Sequence, residues 1–185
     1  MDEDTDGTAI GHAPARVRAM DVANELLAAH GTRIPLTNQR INKLVYLAQV
    51  EALRRDGAPL YDDPIEAWDD GPAIPTVHEA FSAYGTNQIA KPTYAPPRDA
   101  RMRAVTARVA ERYGHLSVYD LIRLAHRPGG AWGRAHRPGR RATITPALIL
   151  AASDTTEPDL GATFSACLRQ VDATWPRTIT LLERS

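Results

Sequence analysis

The sequence predicts an all-α fold, a compact bundle of about six to eight helices, and three observations carry that expectation. Every strong periodic signal in the 185 residues is helical, with apolar positions recurring three and four apart. Four of the segments bearing those signals open on N-cap residues or on Pro at the first helical position, and several close on Gly. Of the 43% hydrophobic residues 30 are Ala. That leaves about 50 larger apolar side chains, enough for one core of modest size.

The elements follow in order. Residues 1–15 hold four acids, two Gly and a Pro with no apolar period, and read as an acidic flexible leader. Val22, Ala23, Leu26, Leu27 and His30 share one face of a helix over about 17–30, with Gly31 placed as a positive-φ cap. Thr37 is a good N-cap for a second helix, in which Leu44, Val45, Ala48 and Ala52 form one stripe and Leu47 and Val50 lie on another face. A helix apolar on two faces belongs in the middle of a bundle, and Gly57-Ala58-Pro59 stops it. Residues 59–75 contain four prolines and hold Ile65, Trp68 and Ile74 between acids. Such a stretch is too proline-rich for a helix and too apolar for a disordered linker, so an ordered excursion is expected over the core, with room for a short strand at Ile65 to Trp68.

Pro75 then opens a helix whose face is Val77, Ala80, Phe81 and Tyr84, closed by Gly85. A loop with three prolines spans 86–98. Met102, Val105, Val109 and Tyr113 mark the next helix, which ends at Gly114. Ser117 and Asp120 resemble a capping box for the one after it, with Val118, Leu121, Ile122 and Ala125 as its apolar face. Residues 126–141, with four Gly and two Pro, read as a surface segment anchored by Trp132. Thr145-Pro146 starts a short helix through Leu150. The domain is therefore placed at 16–152, followed by a partly helical extension over 153–185, with weaker helical signals at 160–171 and 178–182.

Composition excludes several function classes. The single cysteine, Cys167, allows no internal disulfide and no multi-thiolate metal site. With no basic-then-apolar leader and no apolar run near the roughly 18 residues of a membrane span, a soluble cytoplasmic protein with no membrane partner is expected. There is no phosphate-cradling Gly loop, nucleophile elbow or His-Glu-x-x-His, so neither catalytic residues nor a cofactor nor a metal is expected. His126 and His136 lack a cysteine or carboxylate at ligand spacing and read as surface or capping residues. The formal net charge of zero argues against a general polyanion binder.

That zero conceals an asymmetry. From Glu51 to Asp70 there are seven acids against two Arg, and from Arg98 to Arg141 eleven Arg against three acids. The Arg side chains either form solvated faces and pair with the acidic excursion, or face an acidic or nucleic-acid partner from the Gly/Pro-rich loop at Arg134, Arg137, Arg140 and Arg141. The second helix sets Gln39, Asn42, Lys43, Tyr46 and Gln49 beside its core stripe. The simplest reading is a polar helix edge meeting the excursion, with Lys43 paired to Glu66 or Asp69. Direct ligand binding is the alternative.

The run Thr37 to Gln49 resembles the "T-x-x-x-L-Q-K-L-L-Y-Y-A-Q" helix of the Panacea, or SocA-like, family. Pro59-Leu60-Tyr61, Pro64-Ile65-Glu66-Ala67-Trp68 and Gly71-Pro72-Ala73-Ile74-Pro75 resemble its "P-L-F…P-I-E-A-W-x-x-G-P-V-V-P" segment in the same order and spacing. Tyr84-Gly85, Tyr113 to Ser117, Ala125-His126 and Ala131-Trp132 fit its later landmarks. Ile41-Asn42 stands where the family usually has Leu-Gln, and Ala73 where it usually has Val. The resemblance covers about residues 17–150.

What the resemblance implies is a non-enzymatic antitoxin of a bacterial or phage type II toxin–antitoxin pair. Its partner would be the protein toxin of the adjacent gene, for instance a translation-inhibiting, alarmone-synthetase-like enzyme. The implied scaffold residues are Gln39, Lys43, Tyr46, Gln49, Glu66, Trp68, Gly71, Pro72, His126 and Trp132, and the candidate toxin contacts are Asp69, Asp70, Arg134, Arg137, Arg140 and Arg141. Two alternatives accompany it. One is a proteolytic adaptor delivering the toxin to the ClpXP protease. The other is an autoregulator binding nucleic acid through the Arg-rich 98–141 region, the less expected partner because no helix-turn-helix pattern accompanies the charge.

Overall fold

The computed structural model describes residues 16–161 and 163–170. The expected signals at 1–15 and 178–182 lie outside that range. Helix α2 (Asn38–Asp56) is the axis of the molecule, and its residues 40–53 are all buried. Around it pack α1 (Ala19–His30), α3 (Pro75–Ala80), α4 (Ala100–Tyr113), α5 (Val118–Ala125) and the short α7 (Pro146–Leu150). Tyr46, Leu26, Leu36, Ile41, Leu44, Phe81 and Met102 are among the largest side chains fully withdrawn from water at this centre. Burial of that apolar surface is what holds the bundle together.

The ends of the helices follow their sequences. Thr37 accepts the Arg40 N–H at 3.3 Å, and Gly57 takes the left-handed cap at φ 67°. Asp99 caps α4, and Ser117 with Asp120 forms the capping box of α5. At the start of α1, Asp21 accepts the Arg18 N–H at 2.8 Å and Asp63 of the excursion accepts the Ala19 N–H at 2.9 Å, so carboxylates face the positive end of the helix dipole. The left-handed cap expected at Gly31 is not found. Its φ is −61°, and a Cβ there would stand 2.5 Å from the Leu27 carbonyl oxygen, so close approach is what favours Gly. The helix expected to run to Tyr84 ends at Ala80 and resumes as a 3₁₀ turn over Ser82–Tyr84, because Phe81 leaves the helical conformation while burying its ring.

The chain is mostly helical, but the all-α expectation needs correcting. A small antiparallel sheet of order β2-β1-β3 is built from β1 (Glu66–Trp68), β2 (Gly71–Ala73) and β3 (Ala142–Thr143). Trp68 pairs with Gly71, leaving Asp69-Asp70 as the two-residue turn. The excursion thus supplies the strand anticipated near Ile65 and a second one. The third arrives from residues 142–143, beyond the segment read as a surface loop. That segment also contains a short helix, α6 (Ala131–Ala135).

Candidate functional site

One polar edge of α2 holds the excursion by its backbone. Gln49 accepts the Leu60 and Tyr61 N–H groups at 2.8 and 3.3 Å and donates to the Tyr61 carbonyl at 3.0 Å. Asn42 accepts the Ile74 N–H at 2.8 Å, and Asn38 donates to the His78 carbonyl at 2.9 Å. These side chains stand in for backbone partners that a proline-rich segment cannot find within itself. The expected contact between this helix edge and the excursion is therefore present, with different partners for Lys43. It does not pair with Glu66 or Asp69. Glu66 accepts the Trp68 indole N–H at 2.6 Å and Asp69 meets His136 at 2.9 Å, while Lys43, only 3% exposed, donates to the Pro72 carbonyl at 3.0 Å. Tyr46 is not at this edge: its hydroxyl donates to the buried carboxylate of Asp154 at 2.7 Å, which also accepts the Ala131 N–H.

Gly71 is the pivot of the site. It has φ 107°, and a Cβ at this position would lie 3.0 Å from both Lys43 Nζ and His126 Nε2. Only glycine suits both the conformation and the space. His126 stacks on Trp132 at 3.8 Å between ring centroids, and Trp132 stacks on His136 at 4.6 Å. The Trp132 indole donates to the Trp68 carbonyl at 2.7 Å, tying α6 to the hairpin. Trp68 meets His78 edge-on at 4.9 Å, and the Arg141 guanidinium stands 4.5 Å over its ring.

Electrostatics follow from this burial. Loss of water pushes the Lys43 ammonium down to about 8, against the opposing attraction of Asp70. His126 is also lowered, first by burial and then by the charges of Lys43 and His136. A recess of 360 Å³ lies here, lined by Asn38, Gln39, Asn42, Lys43, Trp68, Asp70, Gly71 and His78 among others. Gln39 is exposed at its rim. Beside it, Trp68, Asp69, Asp70, Gly139, Arg140 and Arg141 line a second cavity of 290 Å³ with charges of both signs.

The structure thus brings together Lys43, Trp68, Gly71, Pro72, His126 and Trp132, with Asp69, Asp70, Arg140 and Arg141 on the adjoining surface. Arg134 and Arg137 turn elsewhere, donating to the carbonyls of Ala151 and of Arg134 and His136. Much of the Arg-rich stretch is committed internally: Arg101 to Asp56, Arg103 to Glu25, Arg108 to Glu51 and Arg112 to Glu157. Sequence reasoning missed His78 and Asp154. His78 follows Pro75 closely and was legible as a helix residue, but nothing near Asp154 signals a partner 108 residues away. Among the described residues no group of three His, Cys, Asp or Glu is placed to hold a metal, and no helix is long and apolar enough to cross a membrane.

The chain matches the family described as antitoxin SocA-like, Panacea domain, over residues 41–133. Antitoxin SocA of Caulobacter vibrioides (strain NA1000 / CB15N) is 34% identical over an alignment 132 residues long that covers 64% of this chain and 70% of that protein. No solved structure matches.

Proposed function

The chain belongs to the SocA-like antitoxin family and carries its Panacea domain, and from that premise we propose that it neutralises the toxin of the adjacent gene by direct protein contact. The observation that carries this reading is the match to the SocA-like family over residues 41–133, which span most of α2, the hairpin, His126 and Trp132, together with the 34% identity to antitoxin SocA. The matched span ends at residue 133, at the start of the segment that bears Arg134, Arg137, Arg140 and Arg141. A shared scaffold with its own exposed loop suits an interface of roughly 800 Å² per partner, in which a few anchors carry most of the affinity. The contact surface we assign is the Asp69-Asp70 turn with Arg140 and Arg141 beside it. There both signs of charge surround Trp68, an arrangement that orients a charged protein partner.

Expression of the adjacent gene alone should arrest growth, co-expression should restore it, and the two proteins should co-purify. An adjacent gene that is harmless on its own, or no complex between the two products, removes the reading. The same assay in a host lacking ClpXP separates occlusion from delivery. Neutralisation that persists there is the expected result, and its loss makes the chain an adaptor.

A further inference from the structure

The recess beside α2 contains groups whose hydrogen-bonding capacity is only partly used. Lys43 has three N–H donors and one hydrogen-bonded partner, the Pro72 carbonyl, and it makes no ion pair among the described residues. Asn42 spends its oxygen on the Ile74 N–H, and its buried Nδ2 has no hydrogen-bond partner among the described residues. Asn38 donates to the His78 carbonyl, and its buried Oδ1 is likewise unpaired. Both asparagines are at least nine-tenths buried and line the recess with Lys43. Unpaired buried polar groups are costly, so two unpaired side-chain atoms and one partly satisfied ammonium, on residues of one helix edge that line one recess, point to an occupant.

The chemistry selects that occupant. An ammonium beside an amide N–H is matched by a carboxylate, which only accepts, and the neighbouring Asn38 oxygen is matched by an N–H of the same partner. The charged and titratable groups around Lys43 are Asp70 on the hairpin turn, His78 on α3, and His126 and His136 beyond α5. Asp70 is the one carboxylate among them. It is exposed at the rim and forms no ion pair with Lys43. We propose that this recess receives an acidic side chain of the toxin, its carboxylate inserted against Lys43 and Asn42 as a desolvated anchor of the complex. The inference rests on the antitoxin reading above.

The sequence makes the test direct. Lys43 and Lys91 are the two lysines of the chain, and Lys91 is exposed. Full-length protein labelled with ¹³C at the lysine ε-carbon therefore gives two signals, one of them a built-in reference. In the free protein the Lys43 signal is expected to titrate at about 8, because burial disfavours the ammonium. In the complex with the adjacent-gene product its titration is expected to rise to the ordinary lysine range of about 10.4 or beyond, because a carboxylate stabilises the ammonium. A partner that covers the recess with neutral groups adds only desolvation and moves the titration further down. That result, or no shift, overturns the proposal.

Sodium acetate added to the free protein forms the second arm. A rise with acetate and none with the toxin assigns the recess to small free carboxylates and overturns the assignment to the partner. Lys43→Met is expected to weaken the complex about 100-fold, and tight binding by a folded Lys43→Met protein also counts against the proposal. The titration of the unaltered protein stands whether or not that variant folds. If the unaltered proteins form no complex at all, it is the antitoxin reading that fails, and this inference with it.

Discussion

Taking an ammonium out of water costs free energy that one carbonyl does not recover, and Lys43 is in that position. Its ionisation lies at about 8 in the folded chain. Between there and about 10.4 the unfolded chain still holds the proton that the folded one has lost, so stability rises with pH through this window. Below about 8 the full penalty is present, on the order of 3 kcal/mol from the size of the shift. Lys43→Met removes that penalty and also the bond to Pro72, but only the first depends on pH. Relative to the unaltered protein, the variant is therefore expected to be most favoured at pH 7 and to lose that advantage toward pH 10. Urea denaturation at the two pH values measures it, and an equal difference at both would remove the argument. Gly71 supplies a second residue-level case. Gly71→Ala combines a strained backbone, about 1–3 kcal/mol, with a Cβ 3.0 Å from Lys43 Nζ and His126 Nε2. Gly57→Ala, at φ 67° with nothing within 4 Å of its Cβ, isolates the backbone contribution. The Gly71 variant should be the less stable of the two, and it alone should change the fluorescence of the stacked Trp132.

At the scale of elements, single side chains join segments that share no backbone hydrogen bond among the described residues. Asp120 is the clearest. It closes the capping box of α5 and also accepts the N–H groups of Phe164 and Ser165, where residues 164–170 begin a helical turn. Burial opposes its charge, but the hydrogen bonds from Ser165, Ser117 and the two backbone N–H groups prevail and hold the carboxyl at about 2. Its contribution is present above the unfolded carboxyl range of about 3.9 and is lost as pH falls toward 2. Asp120→Ala should cost roughly 2 kcal/mol at pH 7, and hydrogen exchange should show faster opening of residues 164–170 than of α4. A uniform loss of protection would place the effect in the bundle instead. The same logic explains what the sequence could disclose. Helix α2 was legible because its apolar residues occupy two faces, and the excursion because four prolines forbid a helix. The strand at Ala142–Thr143 was not, since two residues carry no period and their partners Ala67 and Glu66 are far away in the chain. Lys43 was legible as a position through the family motif, yet its partner was misassigned to Glu66 or Asp69. A salt bridge is the usual expectation for a charge facing acids, whereas here the hairpin presents a carbonyl.

Over the whole molecule, the charge asymmetry is largely spent on internal contacts. The acids of α2 meet Arg101 and Arg108: the Asp56–Arg101 pair is partly exposed and contributes little, about 0–1 kcal/mol, whereas Glu51 is buried between Arg54 and Arg108. Part of what is left at the surface is the cluster around Trp68. Arg141 lies over the indole, while the guanidinium of Arg140 makes no hydrogen bond, ion pair or ring contact among the described residues, and both line a cavity with Asp69 and Asp70. A charge without an internal partner has little to contribute to folding and can act on encounter. Arg140→Ala should therefore leave stability within about 0.5 kcal/mol of the unaltered protein, and Arg141→Ala should cost slightly more because it gives up the contact with Trp68. Both should slow association with the toxin at low salt while changing dissociation little, and the difference should close as salt screens the field. Stopped-flow association at several salt concentrations separates this from a nucleic-acid role of the same arginines. If promoter DNA is the partner, its affinity falls along a straight line in log salt and each lost Arg lowers the slope by about one. Association rates that are insensitive to both substitutions at every salt concentration would move the toxin contact away from the hairpin turn, to another face of the bundle.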